Sequence, residues 1–403
     1  MKNAQKRGPA GLRCDCACRV GMLVAVILRL EDMRPGILWI HLILLWPPCP
    51  TRHGDGAMFT NLMDKGYREI AKNDASTKKD TEFEEFVIDV ARCLASNNKY
   101  LSPKYLYDKV GSELFEQICL QPEYYLTRTE TSILYKYAPV ISKLMGSHIK
   151  IIELGSGSSS KTAILLSHLS SRKKTIYYFP IDISSSVLIE SERKLKSQFP
   201  NTSIIGIRSD YETGIDRAVA ECMVIGKNNK NIPYTKLVLF LGSSIGNFEL
   251  IEAQSLLRSL REKLHTNDFL LIGFDLQKDE SVLNAAYNDN AGMTAKFNLN
   301  LLARINRELG GNFELGKFEH CAFYSRERHR IEMHLVSKTD QELYIGALGK
   351  TFALRRGESI HTENSYKYSL SQIAALAEDC GFKVEKNFTD KKRWFDLALF
   401  SPS

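Results

Sequence analysis

The 403-residue chain lacks any apolar run long enough to cross a membrane as a helix. Such a helix needs about 20 residues, and the apolar runs at residues 20–28 and 37–46 are both shorter. A strong excess of one charge is also missing. The formal net charge of +7 is dispersed, apart from short basic runs such as residues 172–174 and 391–393. We therefore expect no stable membrane association and no nucleic-acid binding.

The sequence also lacks a disulfide framework and a pattern of metal ligands. Its nine cysteines are not spaced as a framework, and a chain of this length can bury a core without cross-links. The nine histidines form no ligand pair, so no metal site is expected. Five cysteines are expected to be buried thiols of a reducing, cytoplasmic compartment: Cys93, Cys119, Cys222, Cys321 and Cys380.

Residues 1–57 differ from the rest of the chain, and three interpretations compete. Basic residues before an apolar run are typical of a signal or transit segment. The closely spaced Cys14, Cys16 and Cys18 could instead carry lipid on a membrane-associated tail. The third interpretation, which we favour, is that the segment is disordered or absent from the mature protein, with Met58 as an internal start. The three cysteines alone do not indicate a metal site, because no histidine or second cysteine pair accompanies them.

The stretch I-I-E-L-G-S-G-S-S-S-K, residues 151–161, predicts a strand, a tight turn and the start of a helix. Gly155 and Gly157 allow backbone torsions that a Cβ would forbid, and they let a ligand lie against the main chain. An adenosine-containing cofactor is the usual ligand of such a turn. Taken alone, the pattern fits an ordinary strand-to-helix turn equally well, because Ser160 stands where a dinucleotide fingerprint has its third glycine.

Strands and helices alternate after this turn, which predicts an α/β fold with a parallel sheet. Residues 176–183 read as a strand ending near Asp182, and residues 204–207 as a strand followed by Asp210 and Tyr211. Residues 237–241 open into G-S-S-I-G-N-F, and residues 269–274 end at Asp275. Ligands of such sheets gather beyond the carboxyl ends of the strands. Polar and glycine residues at four successive ends therefore predict a binding site there.

The alternation lapses from residue 276, and we predict an inserted α+β unit up to residue 367, with a polar cluster at residues 360–368. It should contain one long helical segment that continues to residue 309, then strands at 318–325 and 330–336. A helix at 370–380, closed by Gly381, and an antiparallel pair of strands at 382–388 and 394–400 should complete the main sheet. Residues 83–94 repeat apolar side chains at helical spacing, and P-E-Y-Y-L-T-R-T-E at 122–130 indicates a pocket wall.

The motifs together resemble the histidine-specific, S-adenosylmethionine-dependent Nα-methyltransferases of ergothioneine biosynthesis (the EgtD family). They fall in the family's order over about residues 76–403, and the sequence departs from the common pattern at Leu126, usually proline, and at Asn364. The segments that carry the resemblance are Y-D-K-V-G-S-E-L-F, P-E-Y-Y-L-T-R-T-E, I-I-E-L-G-S-G, L-F-L-G-S-S-I-G-N-F, D-L-Q-K-D, A-Y-N-D-N-A-G-M-T-A-K-F-N, F-E-H-C-A-F-Y, R-I-E-M and T-E-N-S-Y-K-Y.

The resemblance implies a Rossmann-like class I methyltransferase sheet with a second, inserted α+β substrate-binding domain. The methyltransferase domain would comprise residues 129–275 and 368–403, and the substrate-binding domain residues 59–128 and 276–367. It further implies that S-adenosylmethionine is the co-substrate and that no metal is needed. The residues implied to line the cofactor site are Gly155, Lys161, Asp182, Asp210 and Tyr211.

The resemblance also implies which residues bind the amino acid. Tyr107 should lie near the methyl sulfonium and the substrate amine. Glu363 and Ser365, which flank Asn364, should read the imidazole ring, because a carboxylate accepts from one ring N–H and a hydroxyl pairs with the other nitrogen. A ring without these groups would leave buried polar atoms unpaired, which discriminates steeply. The residues implied to bind the substrate are Tyr124, Asn247, Tyr287, Glu363, Asn364 and Ser365.

The implied reaction is the transfer of three methyl groups to the α-amino group of L-histidine, which gives hercynine. Methyl transfer needs a neutral amine held in line with the sulfonium, and we expect the hydroxyl of Tyr107 or Tyr124, or water, to carry the released proton. Two alternatives remain. The same scaffold could methylate another amino acid, such as a tryptophan derivative, or it could be a binding module without turnover. We expect a cytoplasmic monomer.

Overall fold

A mostly parallel sheet lies at the centre of the fold. The computed structural model describes residues 81–171, 175–228 and 232–403, so the predictions for residues 1–57 and for Met58 lie outside the described residues. The strands are β1 (His148–Leu154), β2 (Thr175–Asp182), β3 (Thr202–Ile204), β4 (Ile207–Arg208), β5 (Thr235–Phe240), β6 (Phe269–Asp275), β7 (Phe318–Ser325), β8 (Arg330–Ser337), β9 (Gln341–Ile345), β10 (Lys350–Leu354), β11 (Ser359–Tyr366), β12 (Phe382–Thr389) and β13 (Phe395–Pro402).

Helices connect these strands and cover the sheet. Residues 81–95 are helical and are called α1. The other helices are α2 (Lys109–Cys119), α3 (Tyr125–Leu144), α4 (Ser160–Ser170), α5 (Ser185–Gln198), α6 (Tyr211–Asn228), α7 (Leu250–Lys263), α8 (Glu280–Tyr287), α9 (Met293–Leu309) and α10 (Leu370–Asp379). Short 3₁₀ helices cover Pro103–Leu106, Ser244–Asn247, Leu315–Lys317 and Gly346–Leu348.

The main sheet has the strand order β12-β13-β6-β5-β1-β2-β3, and β4 also pairs with β2. The strands from β1 to β6 pair in parallel, whereas β12 and β13 pair antiparallel. The chain moves outward from β1 to β3 and then returns to β5 on the other side of β1. Ligands bind outside the carboxyl ends of the strands at such a reversal. The topology confirms the predicted Rossmann-like class I methyltransferase sheet and its closing antiparallel pair.

Both faces of the main sheet are buried, because side chains alternate along each strand. Ile149 and Ile151 of β1 pack into one apolar core with residues of α3 and α4. Ile152 and Leu154 pack into the other, with residues of α6, α7 and α10. The near-continuous apolar sequence of β1 therefore reflects a strand covered by helices on two sides.

A third apolar core lies away from the main sheet. It gathers buried residues from two separate parts of the chain, residues 86–126 and 283–360. Its framework is the antiparallel sheet of β11, β8 and β7, with Phe297 and Leu301 of α9 packed in the same core. This core brings the region before β1 together with the region inserted after β6.

The predicted long helical segment after residue 276 is wrong, because the structure breaks it into α8 and α9. The Asp289 carboxylate accepts hydrogen bonds from the backbone N–H groups of Met293 and Thr294, both at 2.7 Å. Gly292 has a φ of +67°, outside the right-handed helical region. Asp289 thus caps the first N–H groups of α9 and starts a new helix after α8 has ended.

The predicted third strand is divided into β3 and β4. Pro180 of β2 has no N–H to donate to this neighbour, so the ladder is interrupted beside Ile205 and Gly206. The sequence analysis also missed the hairpin of β9 and β10, and it described residues 360–368 only as a polar cluster, whereas most of them form β11. The strands predicted at 318–325 and 330–336 and the helix closed by Gly381 are confirmed.

The prediction of five buried thiols is correct for three of them. Cys93, Cys222 and Cys380 are buried, whereas Cys119 and Cys321 are partly exposed, and all five are free. Within the described ranges, no helix is long and apolar enough to cross a membrane. In the same part of the chain, no group of three or more His, Cys, Asp or Glu side chains is arranged to hold a metal ion.

Candidate active site

The turn after β1 has the backbone geometry that its glycines predicted. Gly155 and Gly157 have φ values of +64° and +49°, and Ser159 also lies in the left-handed region at +52°. The Tyr211 side chain lies over Gly155, since a Cβ at Gly155 would come within 3.0 Å of the Tyr211 hydroxyl. Tyr211 therefore covers the main chain at Gly155, whereas a Cβ at Gly157 would meet no described atom within 4 Å, so the turn is open to a ligand at Gly157.

Asp182 and Asp210 stand at the carboxyl ends of β2 and β4, as predicted. The Asp182 carboxylate accepts from the N–H of Gly157 and from the N–H of Ser184, both at 2.9 Å. These bonds use one position on each oxygen, so each oxygen can still accept from a ligand hydroxyl. Asp210 uses Oδ1 to accept from Thr213 N–H at 2.9 Å. It therefore caps the start of α6 and leaves Oδ2 for other contacts.

Lys161 has a partner that the sequence analysis did not assign. Its Nζ lies 2.6 Å from Oε2 of Glu130, whose side chain is fully buried. The Glu130 carboxylate also accepts from Gly242 N–H, at 2.8 and 3.0 Å. Glu130 thereby ties α3 to the turn after β1 and to the loop after β5. Lys161 is an anchored cation at the edge of the turn, and Glu130 is a positioning residue for two loops.

A cavity lies beside these loops, where the third core meets the main sheet. It contains six residues that the sequence analysis assigned to the substrate or to catalysis: Tyr107, Tyr124, Asn247, Tyr287, Glu363 and Ser365. It also contains residues that the sequence analysis did not single out: Phe115, Ile118, Leu126, Gly242, Ser243, Ser244, Thr294, Phe297 and Met333. The quoted motifs include most of this second group, but apolar spacing alone does not separate cavity residues from core residues.

Aromatic rings form much of the cavity wall. Tyr107 packs edge-on against Phe115 and Phe297, with ring centroids 5.6 and 5.4 Å apart. Tyr124 packs edge-on against Tyr287 at 6.2 Å. Among the described residues, the hydroxyls of Tyr107 and Tyr124 have no hydrogen-bond partner. Burial raises the pKa of both phenols well above the usual value. Both are therefore neutral phenols with a free O–H group at neutral pH.

The two residues predicted to read a ring stand on one face of β11. Glu363 and Ser365 are both buried and both line the cavity, as residues two apart on a strand should. Asn364 points away from the cavity, contrary to the prediction. Its Nδ2 donates to Glu249 at 3.0 Å and its Oδ1 lies 2.9 Å from Nε2 of His361. The alternation of the strand therefore excludes Asn364 from the cavity wall.

The Glu363 carboxyl group carries a perturbed pKa. Burial raises this pKa to about 7, although the charge of Lys367 and a hydrogen bond from Asn247 act in the opposite direction. Asn247 is held at the end of the 3₁₀ helix after β5, and Gly246 allows this helix to lie close to β11. A Cβ at Gly246 would come within 2.9 Å of the Tyr366 carbonyl oxygen. The loop after β5 thus reaches β11 directly.

Comparison with known proteins places this geometry in a family. The sequence model described as "Histidine-specific methyltransferase, SAM-dependent" matches residues 86–402. The histidine N-alpha-methyltransferase of Mycolicibacterium smegmatis is 36% identical over 313 residues, which cover 77% of this chain and 93% of that protein. Ergothioneine biosynthesis protein 1 of Neurospora crassa is 32% identical over 291 residues, 70% of this chain and 31% of that protein.

A relative that is named for another substrate is more distant. The L-tryptophan methyltransferase of Psilocybe serbica is 27% identical over 323 residues, which cover 74% of this chain and 87% of that protein. The family match spans almost all of the described residues, and it includes the glycine turn, the aromatic wall and the strand that carries Glu363 and Ser365. The chain therefore belongs to the family of histidine-specific, S-adenosylmethionine-dependent methyltransferases.

Proposed function

We propose that this chain transfers methyl groups from S-adenosylmethionine to the α-amino group of L-histidine, in three rounds, to give hercynine for ergothioneine biosynthesis. The observation that carries the proposal is the pair of Glu363 and Ser365, buried on one face of β11 and facing an aromatic cavity. A carboxylate and a hydroxyl at this spacing match the two nitrogens of an imidazole ring. An indole has only one ring nitrogen and would leave one of the two buried groups unpaired.

The residues around the glycine turn fit S-adenosylmethionine. Asp182 retains acceptor positions for ribose hydroxyls, Tyr211 offers an aromatic face, and the main chain is open at Gly157, where a Cβ would meet no described atom within 4 Å. Asp210 would contact the adenine edge, and Lys161, anchored by Glu130, would border the cofactor. S-Adenosylmethionine bound there would supply an electrophilic methyl group to the adjacent cavity.

The aromatic wall suits a nitrogen that becomes a cation. Tyr107, Tyr124 and Phe297 present ring faces and edges that favour a methylated ammonium without requiring a hydrogen bond from it. Asn247 and Tyr287 would orient the carboxylate of the amino acid. Because burial raises the pKa of Tyr107 and Tyr124, these phenols act as hydrogen-bond donors rather than as bases. Water then carries the proton away from the amine before each transfer.

The separate third core supports a division into two domains. Residues 276–367 and the described part of 59–128, which begins at residue 81, would form the substrate-binding domain, and residues 129–275 and 368–403 the methyltransferase domain. The buried residues of the third core all fall within the substrate-binding domain, and those of the two sheet cores fall within the methyltransferase domain except for Leu276 at the boundary. We also propose that the enzyme works as a monomer in the cytoplasm, where its free thiols stay reduced.

A mass-spectrometric assay tests the function. The purified chain is incubated with S-adenosylmethionine and L-histidine, with L-tryptophan in a parallel reaction, and the masses of one, two and three added methyl groups are followed. Successive methylation of histidine alone is expected. Product from tryptophan but not from histidine would refute the role of Glu363 and Ser365, and no product from either amino acid would support a binding module without turnover.

Substitutions at two adjacent residues test the role of Glu363 in the same assay. Glu363→Ala removes the ring acceptor and is expected to raise the KM for histidine at least tenfold, because a hydrogen bond to a charged group contributes about 1.5–3 kcal/mol. Asn364→Ala changes the adjacent residue on the opposite face of β11 and is the matched control, with an expected change in KM of less than about twofold. Equal effects of the two substitutions would contradict the assignment.

A further inference from the structure

A buried lysine, Lys367, directly follows β11 in the chain. The Lys367 side chain is completely inaccessible to solvent, and it follows Ser365 by two residues. Its Nζ lies 2.8 Å from Oγ of Ser365, 3.0 Å from the hydroxyl of Tyr287 and 2.8 Å from Oδ2 of Asp275. An ammonium group has three protons, and these three acceptors use all of them.

The charge of Lys367 is balanced within the same buried cluster. Asp275, at the end of β6, is also fully buried and lies between two lysines, with Lys278 Nζ 2.6 Å from its Oδ1. The hydroxyl of Tyr125 donates to the same carboxylate. Burial opposes the charged form of Lys367, but the charge of Asp275 and the hydrogen bonds to Asp275 and Tyr287 together outweigh it and raise the pKa of the ammonium. Lys367 is therefore a permanent donor.

The hydrogen bonds that join Ser365 to Lys367 and to Tyr287 both point to the Ser365 oxygen. The Ser365 oxygen accepts from Lys367 and also from the Tyr287 hydroxyl, which lies 2.7 Å away. A hydroxyl oxygen has two lone pairs, and both are now used. No other described residue takes the proton of Ser365. Since Ser365 lines the cavity, its O–H group is left to donate to a ligand there.

We propose that Lys367 is a positioning residue that makes Ser365 an obligate hydrogen-bond donor to the substrate ring. The inference rests on the proposed function and adds which form of the ring is bound. The ring nitrogen facing Ser365 must carry a lone pair, and the nitrogen facing the Glu363 carboxylate must carry a proton. The cavity therefore selects a neutral imidazole in a single tautomer. An imidazolium ring would place a second N–H against the Ser365 donor.

A double-mutant cycle tests the coupling between Lys367 and Ser365. The variants are Lys367→Met, Ser365→Ala and the double variant, and kcat and KM for L-histidine are measured with saturating S-adenosylmethionine. Lys367→Met should raise KM about tenfold, the value of one lost hydrogen bond with an oriented donor. The same change should add little in the Ser365→Ala background, because the hydroxyl that Lys367 orients is already absent. Full additivity of the two changes would overturn the proposal.

Lys278→Met is the matched control, since Lys278 pairs with the same Asp275 carboxylate but touches neither Ser365 nor Tyr287. Its effect should be additive with Ser365→Ala. If coupling to Ser365 were as strong for Lys278→Met as for Lys367→Met, the effect would belong to the ion-pair cluster in general, and the specific role of Lys367 would be refuted.

A measurement on the unmodified enzyme remains decisive if Lys367→Met does not fold. L-Histidine labelled with ¹⁵N in the ring is bound to the wild-type chain together with S-adenosylhomocysteine, and the two ring nitrogens are observed by NMR. One protonated and one unprotonated nitrogen are expected across neutral pH. Two protonated nitrogens would overturn the proposal, whereas an absence of histidine methylation by the wild type would instead refute the proposed function.

Discussion

The buried carboxyl group of Glu363 should make the stability of the ligand-free protein depend on pH. Its pKa is raised to about 7, compared with 4.5 for an exposed glutamate. The folded protein therefore keeps the proton over a pH range in which the unfolded chain has lost it. The stability that this proton contributes is fully present below about pH 4.5 and is lost as the pH rises through about 7. A difference of about 2.5 between the pKa values corresponds to about 3 kcal/mol.

Glu363→Gln removes this titration and keeps the size of the side chain and its acceptor for Asn247. The free energy of unfolding of the variant, relative to wild type, should increase by about 2–3 kcal/mol from about pH 5 to about pH 8. Urea unfolding of the ligand-free proteins at a series of pH values measures this difference. Since burial also raises the pKa of Glu153 and of Asp396 to about 7, the wild-type curve alone cannot identify the group.

Asp396→Asn is the matched control for this experiment. Asp396 is a buried carboxyl group outside the cavity, and it accepts from Asn387 at 2.6 Å. Its substitution should change the pH dependence of stability in the same direction but leave the KM for histidine unchanged. If the difference in stability between wild type and Glu363→Gln does not vary with pH, Glu363 is not a desolvated acid in the free protein, and the argument is refuted.

Three further substitutions test the turn, the loop anchor and the aromatic wall. Gly155→Ala should lower the free energy of unfolding by about 1–2 kcal/mol because of the positive φ of this residue, and it should weaken S-adenosylmethionine binding by displacing Tyr211. Gly206→Ala, where a Cβ meets nothing closer than 3.9 Å, should change neither quantity. Calorimetry of both variants measures stability and binding. Glu130→Gln should lower the unfolding free energy by about 3 kcal/mol, because it leaves the Lys161 charge uncompensated. A loss below about 0.5 kcal/mol in urea unfolding, which is the scatter of neutral substitutions, would contradict the anchoring role of Glu130. Tyr107→Phe should lower kcat for histidine about tenfold through loss of one hydrogen-bond donor, whereas the midpoint of thermal unfolding should not change. An unchanged kcat in the mass-spectrometric methylation assay would exclude Tyr107 from the transfer.

The main sheet could be predicted from local patterns in the sequence. The strands around Ile151, Tyr178 and Leu271 are apolar on both faces, and each is followed by residues that a helix start or a turn requires. Such signals lie within a few neighbouring residues, so they can be read directly from the chain. The break between α8 and α9 also has a local cause in Asp289 and Gly292, but the apolar spacing on both sides concealed it.

Partners distant in sequence could not be predicted in this way. Glu130 is separated from Gly242 by 112 residues and from Lys161 by 31, and nothing near Glu130 indicates either contact. The orientation of the Asn364 side chain was not predicted for a related reason. Residues 360–368 were described as a polar cluster, and without the strand assignment their alternation could not be applied. Once β11 is present, the same sequence places Glu363 and Ser365 on one face and Asn364 on the other.

Asp275 shows why the substrate cavity and the main sheet act as one unit. Its backbone N–H donates to Oγ of Ser243 in the loop after β5, and its carboxylate binds Lys367, which orients Ser365. Lys367 also donates to Tyr287, at the end of α8. The Asp275 carboxylate thus connects the end of β6, through Lys367, to the hydroxyl of Ser365 on β11 and to the hydroxyl of Tyr287 on α8. A displacement of the cavity relative to the sheet would break charged, buried hydrogen bonds, each worth about 1.5–3 kcal/mol. The distance between the carboxyl end of β6 and β11 is therefore fixed by buried charge as well as by apolar packing.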